Sequence, residues 1–179
     1  MSKKKIFLIA GRTCTGKSSL AREMCERLGL RQVVSYATRP RRKSEEDGAD
    51  HYFIEPKDVV QFRDQMAAYT KIGEYEYFTT YQTLDESDIY VIDPNGIREL
   101  FERCSDKYDF VIIYIRVPRT KYKELIKARG IDKGRIAAED EQFTKYEKSR
   151  IWDYHLLNST TFEEAADQLE TIIRKEMDS

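Results

Sequence analysis

Cysteine is scarce in this chain and scattered where it occurs, at Cys14, Cys25 and Cys104. An odd number without C-x-x-C spacing excludes a disulfide framework and a zinc site, and a reducing cytoplasm is the expected compartment. Net charge is nearly absent as well: 31 basic residues face 32 acidic ones, for a formal charge of −1. The bulk balance therefore gives no reason to expect nucleic acid or a membrane surface as partner, and any anion must be held by a local cluster. No apolar run approaches the ~20 residues of a membrane span. The run Ile6-Phe7-Leu8-Ile9-Ala10, behind Lys3-Lys4-Lys5, is too short for a secretory signal and leads straight into a glycine loop. Internal repeats and low-complexity linkers are missing too. Apolar segments nevertheless recur at regular intervals, so a soluble globular domain is expected rather than disorder, and 179 residues suffice for one domain with a real core.

What is present is organised around Gly11-Arg12-Thr13-Cys14-Thr15-Gly16-Lys17-Ser18. The spacing is G-x-x-x-x-G-K-S, between an apolar strand and the helix-like Ser19-Leu20-Ala21-Arg22-Glu23-Met24. Glycines let the backbone curl so that successive N–H groups point at an oxyanion, and the helix adds the positive end of its dipole. Lys17 would reach the terminal phosphates of a nucleotide and the Ser18 hydroxyl would help hold Mg²⁺.

Along the chain, Leu20, Met24 and Leu28 mark one helix face, with Gly29 as its stop. A strand is expected at Gln32 to Tyr36. The following loop, Ala37 to Gly48, is basic at its start and acidic at its end. It packs four cations into positions 39 to 43, either a solvated surface or a second anion site whose Arg forks match phosphate oxygens. A short strand at His51 to Ile54, a helix from Pro56 to Ala68 and a hairpin turning at Gly73 follow. Alternation then resumes: a strand at Ile89 to Ile92, a helix from Pro94 to about Cys104, and a nearly unbroken apolar strand at Phe110 to Ile115. A helix from Arg119 to Ala128 stops at Gly130, a charged helix carries Arg135, Phe143, Tyr146 and Arg150, and Asp153 to Leu157 and Phe162 to Lys175 form the last strand and helix. The order predicts an α/β fold, a doubly wound parallel sheet with ligands at the carboxyl ends of its strands.

The chain resembles the guanylate kinase family, which moves a phosphoryl from ATP to GMP. Beside the loop, Val34-Ser35-Tyr36-Ala37-Thr38-Arg39-Pro40-Arg41-Arg42 resembles the family's V-S-x-T-T-R-x-P-R, and Asp47-Gly48 leads to His51-Tyr52-Phe53. Ile92-Asp93-Pro94-Asn95-Gly96 resembles its I-D-x-Q-G, Ala128-Arg129-Gly130 its R-G, Arg135-Ile136-Ala137-Ala138 its R-L-x-x-A, and Leu157-Asn158 its V-N. The resemblance implies a P-loop NTPase-type parallel sheet flanked by helices in one domain. Its core would be residues 1–35 and 84–179, with a small mixed α+β monophosphate-binding insertion at about 36–83 and a short lid at about 129–140. It further implies that Gly11, Thr13, Cys14, Thr15, Gly16, Lys17, Ser18, Ser19 and Asn158 bind ATP, the phosphoryl donor, with Ser18 toward Mg²⁺. Ser35, Arg39, Arg42, His51, Tyr77, Thr79 and Asp93 would bind the acceptor. Lys17, Arg39, Arg129, Arg135 and Asp93 would carry catalysis, the two later arginines closing over the transferred group and excluding water. The partners so implied are small-molecule nucleotides, in the cytoplasm.

The sequence departs from the family in places. The glutamate that pairs with the guanine edge is missing, with Ala68 in its place; Glu74 or Glu76 could substitute from the hairpin. Phe78 replaces a glycine, and His51, where a phosphate-contacting tyrosine is common, is either a phosphate donor or a plain polar edge residue. Asp93 is a substrate contact, a helix cap, or both. The lid is shortened, with Arg129 and Arg135 close together. The missing glutamate and Phe78 leave open a kinase of another monophosphate or phosphorylated acceptor; a protein-binding module and a hydrolysing P-loop NTPase are the further readings.

Overall fold

The computed structural model describes residues 3–43, 45–131 and 133–179, without the side chains of Arg135 and Ala138. Strands β1 (Lys4–Ala10), β6 (Ile89–Val91), β7 (Tyr108–Arg116) and β8 (Tyr154–Leu157) form one sheet in the order β6-β1-β7-β8, all parallel. Alternation along β1 sends Phe7 and Ile9 to one face and Ile6, Leu8 and Ala10 to the other, and every one of them is buried. On the first face pack α1 (Lys17–Leu28) and α6 (Phe162–Met177), through Leu20, Met24, Leu169 and Ile173. The second face is covered by α3 (Pro94–Cys104) and α5 (Lys133–Ser149), through Ile97, Leu100, Phe143 and Tyr146. Apolar cover on both sides explains why β7 reads as an almost continuous apolar run. The helix punctuation behaves as its chemistry demands. Gly29 ends α1 at φ 67, Asp93 caps α3 ahead of Pro94, and Thr161 opens α6 with Glu164 in a capping box. The remaining helix of the core, α4 (Arg119–Ala128), stops just before Gly130, which sits at φ 59. Among the described residues no helix is long and apolar enough to cross a membrane.

A second, mixed sheet has the order β3-β2-β5-β4, from β2 (Tyr36–Ala37), β3 (Tyr52–Phe53), β4 (Met66–Ile72) and β5 (Tyr75–Thr80). Gly73, at φ 62, makes the two-residue turn between β4 and β5, as expected. The short helix α2 (Tyr81–Asp85) returns the chain to the first sheet.

Two expected elements change. The strand at Gln32 to Tyr36 divides between the sheets: Gln32 bridges to Ile89 at the edge of β6, while Tyr36 begins β2. The helix expected over Pro56 to Ala68 is a 3-10 segment, Pro56–Gln65, followed by β4 from Met66. Val59 and Phe62 share a face at the i, i+3 spacing that suits a 3-10 turn. Met66 and Ala68 pair instead with Thr80 and Thr79, with a bulge between them. Hydrogen bonding to β5 thus overrides the helix propensity of the alanines.

Strand parity sorts the second sheet's side chains. Tyr36, Tyr52 and Phe78 share one face with Phe62; the ring centroids of Tyr36 and Phe78 are 4.8 Å apart and stacked. Ala37, Phe53 and Tyr77 occupy the opposite face, with Thr79 and Ala68 paired beside them. Replacing the buried Phe78 with alanine should cost about 3 kcal/mol in urea-induced unfolding, with loss of near-ultraviolet tyrosine signal. A loss below about 1 kcal/mol would show that this aromatic stack does not hold the sheet together.

Candidate active site

The glycine loop leaves β1 against the end of β7. A Cβ on Gly11 would lie 2.4 Å from the Ile115 carbonyl oxygen and 2.9 Å from Thr15 Oγ1, so no other residue fits there without moving backbone. Cys14, at φ 64, and Gly16, at φ 90, carry the left-handed bends of the loop. Three donors converge on the Arg12 carbonyl: Thr15 N–H at 3.4 Å, Thr15 Oγ1 at 2.9 Å and Lys17 Nζ at 2.7 Å. From the end of β8, the buried Asn158 donates from Nδ2 to the Thr15 carbonyl at 3.1 Å. Ser18 and Ser19 are exposed in the first turn of α1.

Helix α5 brings acidic groups onto this loop. The Thr13 N–H donates to Glu139 Oε1 at 2.7 Å, so a carboxylate oxygen holds a backbone donor of a phosphate-binding motif. Arg12 is ion-paired to Asp140 and to Glu147, and its guanidinium stands 5.5 Å over the Phe143 ring. Glu147 also accepts from Tyr114 Oη at 2.5 Å. Arg12, Glu139 and Glu147 were not anticipated from the sequence, because their pairing runs across more than 120 residues of chain.

Facing away from the aromatic stack, the second sheet gathers a polar group. Arg39, buried, makes a bidentate pair with Glu45, at 2.6 Å from each carboxylate oxygen, and lies 5.2 Å over the Phe53 ring, beside Tyr77. Glu45 also accepts the Arg42 N–H at 2.9 Å, with Arg42 Nη1 3.7 Å away. The fork from Arg39, then the other cationic and backbone donors, hold the Glu45 carboxyl down at about 2. His51 Nδ1 and Ser35 Oγ are 2.9 Å apart, and the His51 ring stands edge-on to Phe53 and Tyr77. Ser35 also meets the buried Tyr90 of the first sheet, whose neighbour at the end of β6 is Asp93. Burial, and then Asp93, raise the Tyr90 hydroxyl above its ordinary range. Thr79 Oγ1 is fully buried and has no hydrogen-bond partner among the described residues.

The geometry thus brings Ser35, Arg39, His51 and Tyr77 together on one face of the second sheet, with Thr79 buried on that same face and Arg42 exposed at its rim. Asp93 caps α3, accepting from Gly96 N–H at 2.8 Å, and also accepts from Gln142 Nε2 at 3.2 Å. Glu76 cannot stand in for a carboxylate on that surface. It projects with Phe78 from the opposite face, where it accepts from Tyr69 Oη at 2.8 Å and pairs with Arg63 at 3.4 Å. Phe78 points the same way and does not obstruct the surface. Arg129 is exposed at the end of α4, with no side-chain partner among the described residues. The Arg135 side chain lies outside the described residues.

A phosphate loop at the end of the central strand of a parallel sheet, with a second small sheet beside it, defines the class: a P-loop nucleoside monophosphate kinase. The sequence matches the family profile described as guanylate kinase over residues 3–176. It is similar to the guanylate kinase of Syntrophotalea carbinolica, 27% identical over 184 residues covering 96% of this chain and 85% of that protein. Similarity to the guanylate kinase of Geobacter metallireducens is 28% over 182 residues, covering 94% and 87%. In structure it is similar to the guanylate kinase from Anaplasma phagocytophilum, with a TM-score of 0.72 at 23% identity, covering 98% of this chain and 87% of that one. The chain belongs to the guanylate kinase family.

Glu45→Gln should lower stability at pH 7 by about 2 kcal/mol, since it removes the charge accepted by Arg39 and Arg42. The folded value, at about 2, lies below the unfolded value of about 4.3. The contribution is therefore full above the unfolded value and is lost as pH falls toward the folded one. Urea unfolding of both proteins at pH 7, 5 and 3 should give a constant difference between the first two and a smaller one at the last; a pH-independent difference would contradict the pairing.

Proposed function

We propose that this chain transfers the γ-phosphoryl group of ATP to GMP or dGMP, with the glycine loop as donor site and the polar face of the second sheet as acceptor site. Family membership supports the reaction. The observation that carries the acceptor site is the convergence of Ser35, Arg39, His51, Tyr77 and the unpartnered Thr79 hydroxyl on one face of the second sheet. A buried hydroxyl without a partner is costly unless a ligand completes it, and a purine base carrying a carbonyl oxygen does so.

In this reading Gly11, Thr13, Cys14, Thr15, Gly16, Lys17, Ser18 and Ser19 cradle the donor's phosphates, and Asn158 fixes the loop's shape through Thr15. Lys17 leaves the Arg12 carbonyl to neutralise charge on the transferring group. Arg39 and Arg42 orient the acceptor phosphate for in-line attack, because phosphoryl transfer depends on positioning and charge stabilisation more than on covalent help from the protein. Asp93 combines its capping role with a place at the acceptor's edge, and Arg129 and Arg135 act from a lid at about residues 129–140. The donor chemistry fits Mg²⁺: Ser18, exposed in the first turn of α1 and next to Lys17 in sequence, offers a hard hydroxyl oxygen. When bound, the ion supplies charge neutralisation between the phosphates.

A second reading, a kinase of a different monophosphate, is favoured by one observation: Ala68 pairs with Thr79, and Glu76 lies on the reverse face, so the hairpin offers the base edge no carboxylate beside Thr79. ADP release measured across the common monophosphates separates the two. GMP and dGMP should be turned over fastest; turnover of another acceptor without these would overturn the first reading, and phosphate release without any acceptor would indicate a hydrolase. Lys17→Ala should lower kcat by about 100-fold or more with the fold intact. Thr79→Val should raise KM for the acceptor about tenfold, leaving KM for ATP unchanged.

A further inference from the structure

We propose that His51 takes up a proton from solvent when the acceptor's phosphate binds, so that acceptor affinity is coupled to pH through this one imidazole; the inference rests on the acceptor site described above. The geometry carries it. His51 and Arg39 share the Phe53 ring, with Arg39 5.2 Å over its face and His51 edge-on at 5.7 Å, while Tyr77 lies beside Arg39 and 6.1 Å from the His51 ring. A phosphate that takes over the Arg39 fork from Glu45, against Tyr77, therefore lies next to the imidazole. The His51 Nδ1 is engaged by Ser35 at 2.9 Å, and Nε2 has no hydrogen-bond partner among the described residues.

The groups facing His51 come from every packed element: Ser35 and Tyr77 from the sheet, Arg39, Glu45 and Asp50 from the loop, and Tyr90 through Ser35. In the free protein, burial and then the Arg39 charge outweigh the opposing influence of Glu45 and Asp50 and hold the imidazole below its ordinary value. That balance favours the neutral ring. A phosphate dianion reverses that balance by pairing with Arg39 and placing negative charge beside the ring, which raises the bound value.

Protonation also changes the donor pattern. Imidazolium donates from both nitrogens, so Nδ1–H donates to the Ser35 oxygen and Nε2–H is directed to the phosphate. One proton from solvent thus yields a positive charge on the ring and, whichever tautomer the neutral ring holds, an Nε2–H donor directed outward. A tyrosine at this position supplies a single donor without titrating near neutrality.

Calorimetric titration of GMP into the full chain at pH 7, in two buffers of different ionisation enthalpy, reads the protons exchanged. His51→Gln keeps an amide donor and His51→Tyr a hydroxyl; neither titrates there, and both are checked for folding by circular dichroism. The phosphate's own ionisation, near pH 6, is common to all three proteins and cancels in the comparison. The wild type should take up a fraction of a proton more than either variant. Between pH 6.5 and 8 its affinity should fall by up to about tenfold relative to His51→Gln, because each proton linked to binding changes the constant tenfold per pH unit. GMP binding with equal proton exchange and equal pH dependence in all three would overturn the inference while leaving the acceptor site standing. Failure of the wild type to bind GMP at all would overturn the acceptor site and the inference together.

Discussion

The close approach of Gly11 to the Ile115 carbonyl is the constraint on which the rest depends. With 2.4 Å between that oxygen and a notional Cβ, the loop leaves β1 wedged against the last turn of backbone in β7, and its shape is set by the sheet rather than by its own residues. Asn158 at the end of β8 adds the second restraint through the Thr15 carbonyl, and Gly16 beside it is held to glycine chiefly by its φ of 90. Three adjacent strands therefore determine where the loop's backbone N–H groups lie. The strands thus fix the backbone path of the loop, while Lys17 and the Thr13 N–H must still leave internal partners before an anion can use them.

Much of this was legible in the sequence, for reasons that differ between the two sheets. The first sheet is covered on both faces, so β1 and β7 appear as apolar runs, and helix boundaries are marked by Gly29 and Asp93. These are local signals. The second sheet is built from strands as short as two residues, whose partners lie far away in sequence, and pairing decided between helix and strand at Met66 to Ala68. The acceptor face shows both limits. Ser35, Arg39, His51, Tyr77 and Thr79 could be matched one by one to a family pattern, but that they share a face follows only from the register of β2, β3 and β5. The same register settles the Glu76 alternative: one residue from Tyr77, it projects the other way. Glu45 announced itself only as the acidic end of a basic loop, and its hold on Arg39 required the fold.

Phe78 illustrates how a departure from a family pattern can be structural. A glycine replaced by phenylalanine next to Tyr77 suggests a blocked site, yet the ring stacks on Tyr36 and packs tilted against Phe62 on the reverse face, completing the satellite core. The second sheet is small, and an aromatic cluster is an economical way to bury enough apolar area to hold it. Ala68 differs in kind. It lies opposite Thr79 and packs in the same cluster as Tyr90 and Ile97, so its loss of a polar group falls on the face that meets the first sheet.

A chain with a net charge of −1 that binds two polyanionic nucleotides needs its cations in place without an open positive field. The donors in both half-sites already have internal acceptors: Lys17 on the Arg12 carbonyl, Thr13 N–H on Glu139, and Arg39 on Glu45. Substrate binding in the proposed reading is then an exchange of partners in which hydrogen bonds are traded at nearly constant number. Such exchanges have small net energies but strict geometric requirements, because a phosphate must match the fork or amide it takes over from a carboxylate. Glu139 and Glu45 do not stand alike in this exchange. Glu139 belongs to α5, the helix that also carries Arg135. In that reading freeing the Thr13 N–H means displacing a side chain of a separate element, whereas Glu45 is tied to the Arg42 backbone N–H within the same loop as Arg39.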